Sequence, residues 1–208
     1  MRTGWNSEEE RLTPAKVSSS KFGVLETVAL DDQVDAQPLL VPDVKVTAGA
    51  HQGEHEVVYV ATEGNTIYAI DAASGMVLLS PNFGPPVPSP LGCTNNGPNV
   101  GINGTPVIDR EHGTMYVVTY TNEASGPIYR IHALDLGSLK DKIPSVVVAA
   151  SHTLTNGTTF TFNAQNQRQR PALLPHTAMS TPDLAAWRPS CLLNSDRTGK
   201  SSLLRRSK

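Results

Sequence analysis

Histidine, carboxylate and cysteine side chains mark the places where this chain could carry chemistry. His51 and His55 stand four residues apart, a spacing that grips a metal ion when both side chains share one helix face. Here they lie in Thr47-Ala48-Gly49-Ala50-His51-Gln52-Gly53-Glu54-His55-Glu56, which has the composition of a surface loop, so the pair reads as solvated rather than zinc-binding. Asp31, Asp32, Asp35 and Asp43 are the candidate carboxylates, and turn or surface roles account for them. Cys93 and Cys191 form no Cys-x-x-Cys pair, which removes support for metal and redox motifs, and leaves open whether they bond to each other. His132 alternates with apolar neighbours, as a strand-borne surface or hydrogen-bonded histidine does. Asn103-Gly104-Thr105 and Asn156-Gly157-Thr158 match the N-glycosylation sequon, a pattern frequent by chance. These residues make no catalytic constellation and no metal or cofactor site.

The elements that must position such residues are written as a repeat. Val57-Val58-Tyr59-Val60-Ala61-Thr62 runs through a short turn into Ile67-Tyr68-Ala69-Ile70-Asp71, then Ala72-Ala73-Ser74-Gly75. Thr114-Met115-Tyr116-Val117-Val118 runs through a longer turn into Ile128-Tyr129-Arg130-Ile131-His132-Ala133-Leu134-Asp135. Each is a pair of β-branched and aromatic runs joined by a polar turn, the signature of a β-hairpin. A proline-led apolar segment precedes each hairpin, at Gln37-Pro38-Leu39-Leu40-Val41 and Thr105-Pro106-Val107-Ile108-Asp109, and Arg170-Pro171-Ala172-Leu173-Leu174 opens a third. One such unit cannot bury its own apolar face, so repetition implies stacked units.

The first unit is expected over about 33–84, with an inner strand at Ala36–Val41 and an outer one at Met76–Ser80. The second covers about 102–150 and ends in a strand at Ser145–Ala150. Phe22–Leu30 reads as a further strand, 81–101 as an excursion rich in Pro, Gly and Asn, and 153–163 as strand-forming with an Asn156-Gly157 turn. Residues 1–22 read as an irregular lead-in. Residues 175–208 lose all periodicity and end in Arg197, Lys200, Arg205, Arg206 and Lys208. That tail is expected to be disordered and not the natural continuation of the repeat; a basic interaction tail is the competing reading.

Composition agrees with this outline. Of 208 residues, 38% are hydrophobic and 17% charged, with 16 Gly and 16 Pro, a turn-rich globular mixture. The net charge of −2 gives no reason to expect nucleic acid as a partner. No apolar run is long enough to span a membrane. The N-terminus lacks the apolar segment of a secretory signal, which leaves a cytoplasmic location and a missing start both open.

Four short strands per unit, with a Tyr-Val-Ala run and an Ala-x-Asp-x-x-x-Gly corner, resemble the pyrroloquinoline-quinone-type (PQQ-type) β-propeller repeat. That repeat reads roughly Ala-x-Asp-x-x-Thr-Gly-x-x-x-Trp. Ala69, Asp71 and Gly75 match it, Ser74 stands for Thr, and Leu79 takes the tryptophan position. The second copy keeps Ala133 and Asp135 but has Leu139 where the glycine belongs. Asn6, Glu9 or Glu10, Leu12-Thr13-Pro14, Val17 and Phe22-Gly23 are similar to the segment before the first blade. The resemblance covers about 2–174 and implies an all-β partial propeller of four-stranded antiparallel blades, two complete and a third begun, from a longer protein. Read without the family, Asp71 is expected to bond backbone amides beyond the corner, Gly75 to supply positive φ, and Tyr59, Tyr68, Tyr116 and Tyr129 to sit half-buried between sheets.

The resemblance implies a periplasmic or extracellular location, and with no catalytic constellation among the residues the expected role is a binding or scaffold module for a small molecule or protein, a partner-binding propeller in envelope assembly being a further reading. Its alternative is the N-terminal part of a PQQ-dependent dehydrogenase, which would need PQQ and calcium, and whose adjacent cysteine pair this chain lacks. In a propeller the inner strands line a central channel, and ligands bind at its mouth. That places Gln37, Thr105 and Arg170, just before the inner-strand prolines, together with Asn166 and Arg168, as the ligand-facing set; capping of strand ends is the competing role. A two-blade chain is also expected to self-associate through open edges.

Overall fold

The structure is a computed structural model that describes residues 9–88 and 97–174. The only α-helix among the described residues is the single turn α1 (Pro14–Val17), capped by the Thr13 side chain. No helix there is long and apolar enough to cross a membrane. The chain is all-β, and its strands fall into two four-stranded antiparallel sheets and two small two-stranded ones.

The first sheet is a meander of β1 (Leu39–Val46), β2 (Gly53–Ala61), β3 (Ile67–Asp71) and β4 (Val77–Leu79) in that spatial order. After the β5 (Val87–Pro88) and β6 (Asn99–Val100) pair comes a second meander, of β7 (Val107–Asp109), β8 (Thr114–Glu123), β9 (Gly126–Asp135) and β10 (Asp141–Val147). A hairpin of β11 (Ser151–Thr153) and β12 (Thr159–Thr161) follows, with Gly157 at φ +81° in its turn.

The registers of the two sheets superpose residue on residue. Leu39 pairs with Tyr59, Tyr59 with Ala69 and Ala69 with Leu79. Val107 pairs with Tyr116, Tyr116 with Ala133 and Ala133 with Ile143. Cross-strand partners point to the same face. The Tyr59 row therefore lies on one face of the first sheet, and the equivalent Tyr116 row on the corresponding face of the second.

One core forms where the Tyr59 face of the first sheet meets the opposite face of the second. Val41, Val57, Tyr59, Ala61 and Ala69 pack there with Met115, Val117, Leu134 and Leu139, and the Tyr59 hydroxyl donates to the Leu136 carbonyl at 2.7 Å. A second core lies on the far face of the second sheet, where Val118, Tyr120 and Tyr129 meet Val87, Val100 and Leu173. The Tyr120 and Tyr129 rings stack at 4.0 Å.

Several expectations shift. Phe22–Leu30 is no strand; it crosses the first sheet without pairing. Strand β1 continues past Val41 through a bulge at Asp43, which takes φ +55°, and β2 begins at Gly53, so the last four residues of the expected 47–56 loop, 53–56, are strand. The last strand of the second sheet runs earlier than Ser145, because Ile143 and Val146 pair with Ala133 and Ile131. Tyr59 and Tyr129 are fully buried, while Tyr68 and Tyr116 are half-buried. The 175–208 tail, Cys93 and Cys191 lie outside the described residues.

Candidate functional site

Proline fixes its own φ and forces the residue before it into extended backbone, so each pre-proline segment enters its strand straight. Three such segments, 35–38, 103–106 and 168–171, come together at one end of the two sheets. The Gln37 N–H donates to Thr105 Oγ1 at 2.9 Å. The Arg170 guanidinium donates to Asp35 Oδ2 at 2.9 Å and to Asn103 Oδ1 at 3.1 Å, and Asn103 Nδ2 also donates to Asp35 Oδ2 at 3.1 Å. The Leu173 N–H donates to the Thr105 carbonyl, seating the third segment beside the second.

Beneath this polar end lies Glu63, whose side chain is fully buried. It sits in the turn after β2, and its carboxylate accepts from the Gly101 N–H at 2.7 Å and from Asn103 Nδ2. Burial pushes its pKa up; the Gly101 and Asn103 hydrogen bonds pull it down, Asp35 adds to the rise and Arg168 opposes it. Glu63 thus links the first sheet to the 101–103 segment that leads into the second. In the same turn Asn65 donates from Nδ2 to the Tyr120 carbonyl at 2.8 Å, while Asp31 accepts from the Thr62 hydroxyl at 2.7 Å and from the Thr66 hydroxyl.

The five expected ligand-facing residues divide. Gln37, Thr105 and Arg170 are brought together directly or through Asp35 and Asn103. Arg168 is half-buried below them, its charge acting on Glu63, Tyr120 and Tyr129. Asn166 is exposed in the turn after the last hairpin, where its N–H donates to the Asn163 carbonyl, and no contact joins it to the cluster. Glu63, Asn65, Asn103 and Gln169 complete the buried polar cluster and were not singled out by sequence as site residues. The signal for Glu63 was there: a charged residue inside Thr62-Glu63-Gly64-Asn65, directly after the apolar run Val57–Ala61.

The histidines serve the sheets. His55 Nδ1 lies 2.8 Å from Asp71 Oδ2, so the residue belongs to the hairpin corner and not to a pair with the exposed His51. Asp71 also accepts from the Ser74 hydroxyl at 2.7 Å and the Ser74 N–H at 2.8 Å. Led by the Ser74 hydroxyl, these bonds hold its pKa down at about 2. Buried His132 meets Thr119 Oγ1 at 3.2 Å through Nε2 and Asp141 at 3.1 Å through Nδ1, with Phe83 edge-on to its ring at 5.0 Å. Among the described residues no group of three or more His, Cys, Asp or Glu is arranged to hold a metal ion.

Among the described residues, surface concavities of about 240 and about 360 Å³ lie away from the polar cluster. The first is lined by Asp43, Lys45 and Arg110, the second by Val148 and Phe162. Their walls hold no such set of mutually oriented polar groups. The cluster at the pre-proline end is therefore the better candidate, since its side chains hold one another in fixed directions. Comparison of the chain with protein-family models, curated proteins and solved structures finds no match.

Proposed function

We propose that the two four-stranded sheets are successive blades of a PQQ-like β-propeller, and that the chain serves as a non-catalytic binding module. Their residue-for-residue registers support the blade reading, as do the paired Asp71-Ser74 and Asp135-Ser138 corners, in which each Asp accepts from its Ser hydroxyl and N–H. The single observation that carries the binding reading is the convergence of Asp35, Asn103 and Arg170 from three successive segments. In a propeller that end is the mouth of the channel, where ligands bind. A guanidinium, an amide and a carboxylate held together suit a polar molecule that offers both donors and acceptors.

The test is calorimetric titration of the full chain with glucose and with citrate, repeated on Arg170→Ala. Saturable heat that the variant loses supports the mouth as the site, and no heat with either probe removes this ligand class. A parallel reconstitution with PQQ and Ca²⁺ is read by dye reduction. Calcium-dependent turnover there replaces the binding reading by that of a dehydrogenase fragment.

A further inference from the structure

The side chains at the pre-proline end bind one another so fully that a single edge is left to meet a ligand. Asp35 accepts from Gln33 Nε2 at 2.6 Å on Oδ1, and from Asn103 Nδ2 and Arg170 Nη1 on Oδ2. Glu63 accepts from the Gly101 N–H on Oε2 and from Asn103 Nδ2 on Oε1. Asn103 thus directs Nδ2 at two carboxylates, while its Oδ1 accepts from Arg170 Nη1 at 3.1 Å. Arg170 reaches Asp35, Asn103 Oδ1 and the Asn103 carbonyl through Nη1 alone. Its side chain is 52% exposed, and among the described residues no acceptor meets Nε or Nη2.

We infer that the mouth binds a carboxylate, taken side-on by the Nε–Nη2 edge of Arg170, and that Glu63 is the positioning residue that fixes this edge through Asn103. This deepens the binding reading of the mouth and rests on it. The N–H groups along one guanidinium edge are parallel and match the two oxygens of a carboxylate. A ligand that offers donors has less to meet, because Glu63 is fully buried and both Asp35 oxygens already face internal donors. The charges of Asp35 and Glu63 are balanced within the cluster by Arg168 and Arg170, so the cluster does not repel an anion.

Glu63 acts through the Asn103 amide. With two carboxylates on one side and a guanidinium on the other, only one orientation of that amide pairs donors with acceptors. It places Oδ1 on Nη1 and leaves the Nε–Nη2 edge for the ligand. A glutamine at position 63 accepts at Gly101 or at Asn103, not at both. The Gly101 backbone N–H cannot turn away, so the new amide confronts Asn103 Nδ2 and drives Asn103 off Arg170.

The experiment is calorimetric titration of the full chain with citrate, inorganic phosphate, glucose, and an alanine tripeptide as free acid and as C-terminal amide. It is run on the wild type, Arg170→Lys, Glu63→Gln, Asn103→Asp and the double variant Glu63→Gln/Asn103→Asp, with circular dichroism to check each β spectrum. Saturable heat is expected with citrate or with the free-acid peptide, the first marking a small acid and the second a peptide C-terminus. Arg170→Lys keeps the charge at an exposed position but lacks the edge, and is expected to weaken binding about tenfold or more. Glu63→Gln and Asn103→Asp each weaken it by a similar factor. The double variant exchanges donor and acceptor across one contact, with the new carboxylate still accepting from Arg170, and recovers affinity to within about threefold of wild type.

Unchanged affinity in Arg170→Lys overturns the carboxylate assignment, as does heat with phosphate, glucose or the peptide amide in place of the acids; the mouth itself then stands as a site. No heat with any probe fails the mouth reading as well. A double variant that binds no tighter than Glu63→Gln overturns the role of Glu63. Should Glu63→Gln lose its β spectrum, recovery of both spectrum and affinity in the double variant decides that role.

Discussion

Leu139 sets backbone strain against packing in a way that one substitution resolves. It holds φ +53°, the left-handed region, at the corner where the first sheet has Gly75 at φ +70°. Yet its side chain is only 2% exposed and belongs to the main core. A non-glycine residue in that region costs about 1–2 kcal/mol, and Leu139→Gly would relieve this. Deleting a buried leucine side chain costs about 3–5 kcal/mol when the cavity does not collapse. Packing wins by about 1–4 kcal/mol, the difference of those two ranges, so Leu139→Gly is expected to lower stability. Gly75→Ala is the mirror experiment: it adds a side chain at positive φ, with the new Cβ 3.0 Å from the Glu26 Cβ, and is expected to cost about 1–2 kcal/mol. Urea unfolding followed by circular dichroism reads both. A Leu139→Gly midpoint equal to or above that of the parent would refute the claim that core packing holds this corner in its strained state.

Glu63→Gln leaves one acceptor where the Gly101 N–H and Asn103 Nδ2 both donate, and should lower stability by about 1–3 kcal/mol at neutral pH; an unchanged urea midpoint would argue against the buried carboxylate as the link between the sheets. Gly137→Ala would drive a Cβ onto the Lys45 carbonyl oxygen at the junction of the sheets, so a clear fall in melting temperature is expected, and no change would count against that close approach. Asp71 is held at about 2, below its ordinary value, so its contribution is complete above pH ~4 and is lost as pH falls toward 2. The stability gap between the parent and Asp71→Asn should shrink across that window, as acid unfolding curves will show; a gap constant with pH would contradict it.

The strands were legible because their signal is local. Alternation of β-branched and aromatic residues located both hairpins, and the Asp of each corner, with Ser74 and Gly75 at the first, marked the turn. The bulge at Asp43 was not legible, since nothing in Val41-Pro42-Asp43-Val44 announces that a strand continues after a residue at positive φ. The Phe22–Leu30 run misled for a related reason: its apolar residues suit a strand, but β1 and β4 already hold the two edges of the first sheet, and the segment crosses beside the Gly75 corner instead. At the polar cluster, Gln37, Thr105 and Arg170 could be named because the prolines mark their positions. Glu63 and Asn65 were missed because their partners lie in other segments, and such a meeting is visible only once the sheets have packed.

The meander order of both sheets has a consequence for how the protein is made. Every strand of a four-stranded sheet pairs with its neighbour in sequence, so few long loops must close and each unit can form as it leaves the ribosome. The first sheet is complete at Leu79, before any strand of the second exists. Through that interval its Gly75 corner already has the lead-in beside it, while the Tyr59 row waits for Met115, Val117 and Leu134 to be synthesised. The exposed side of the nascent chain thus changes as synthesis proceeds: each new unit shields the one before it and presents a fresh apolar face of its own.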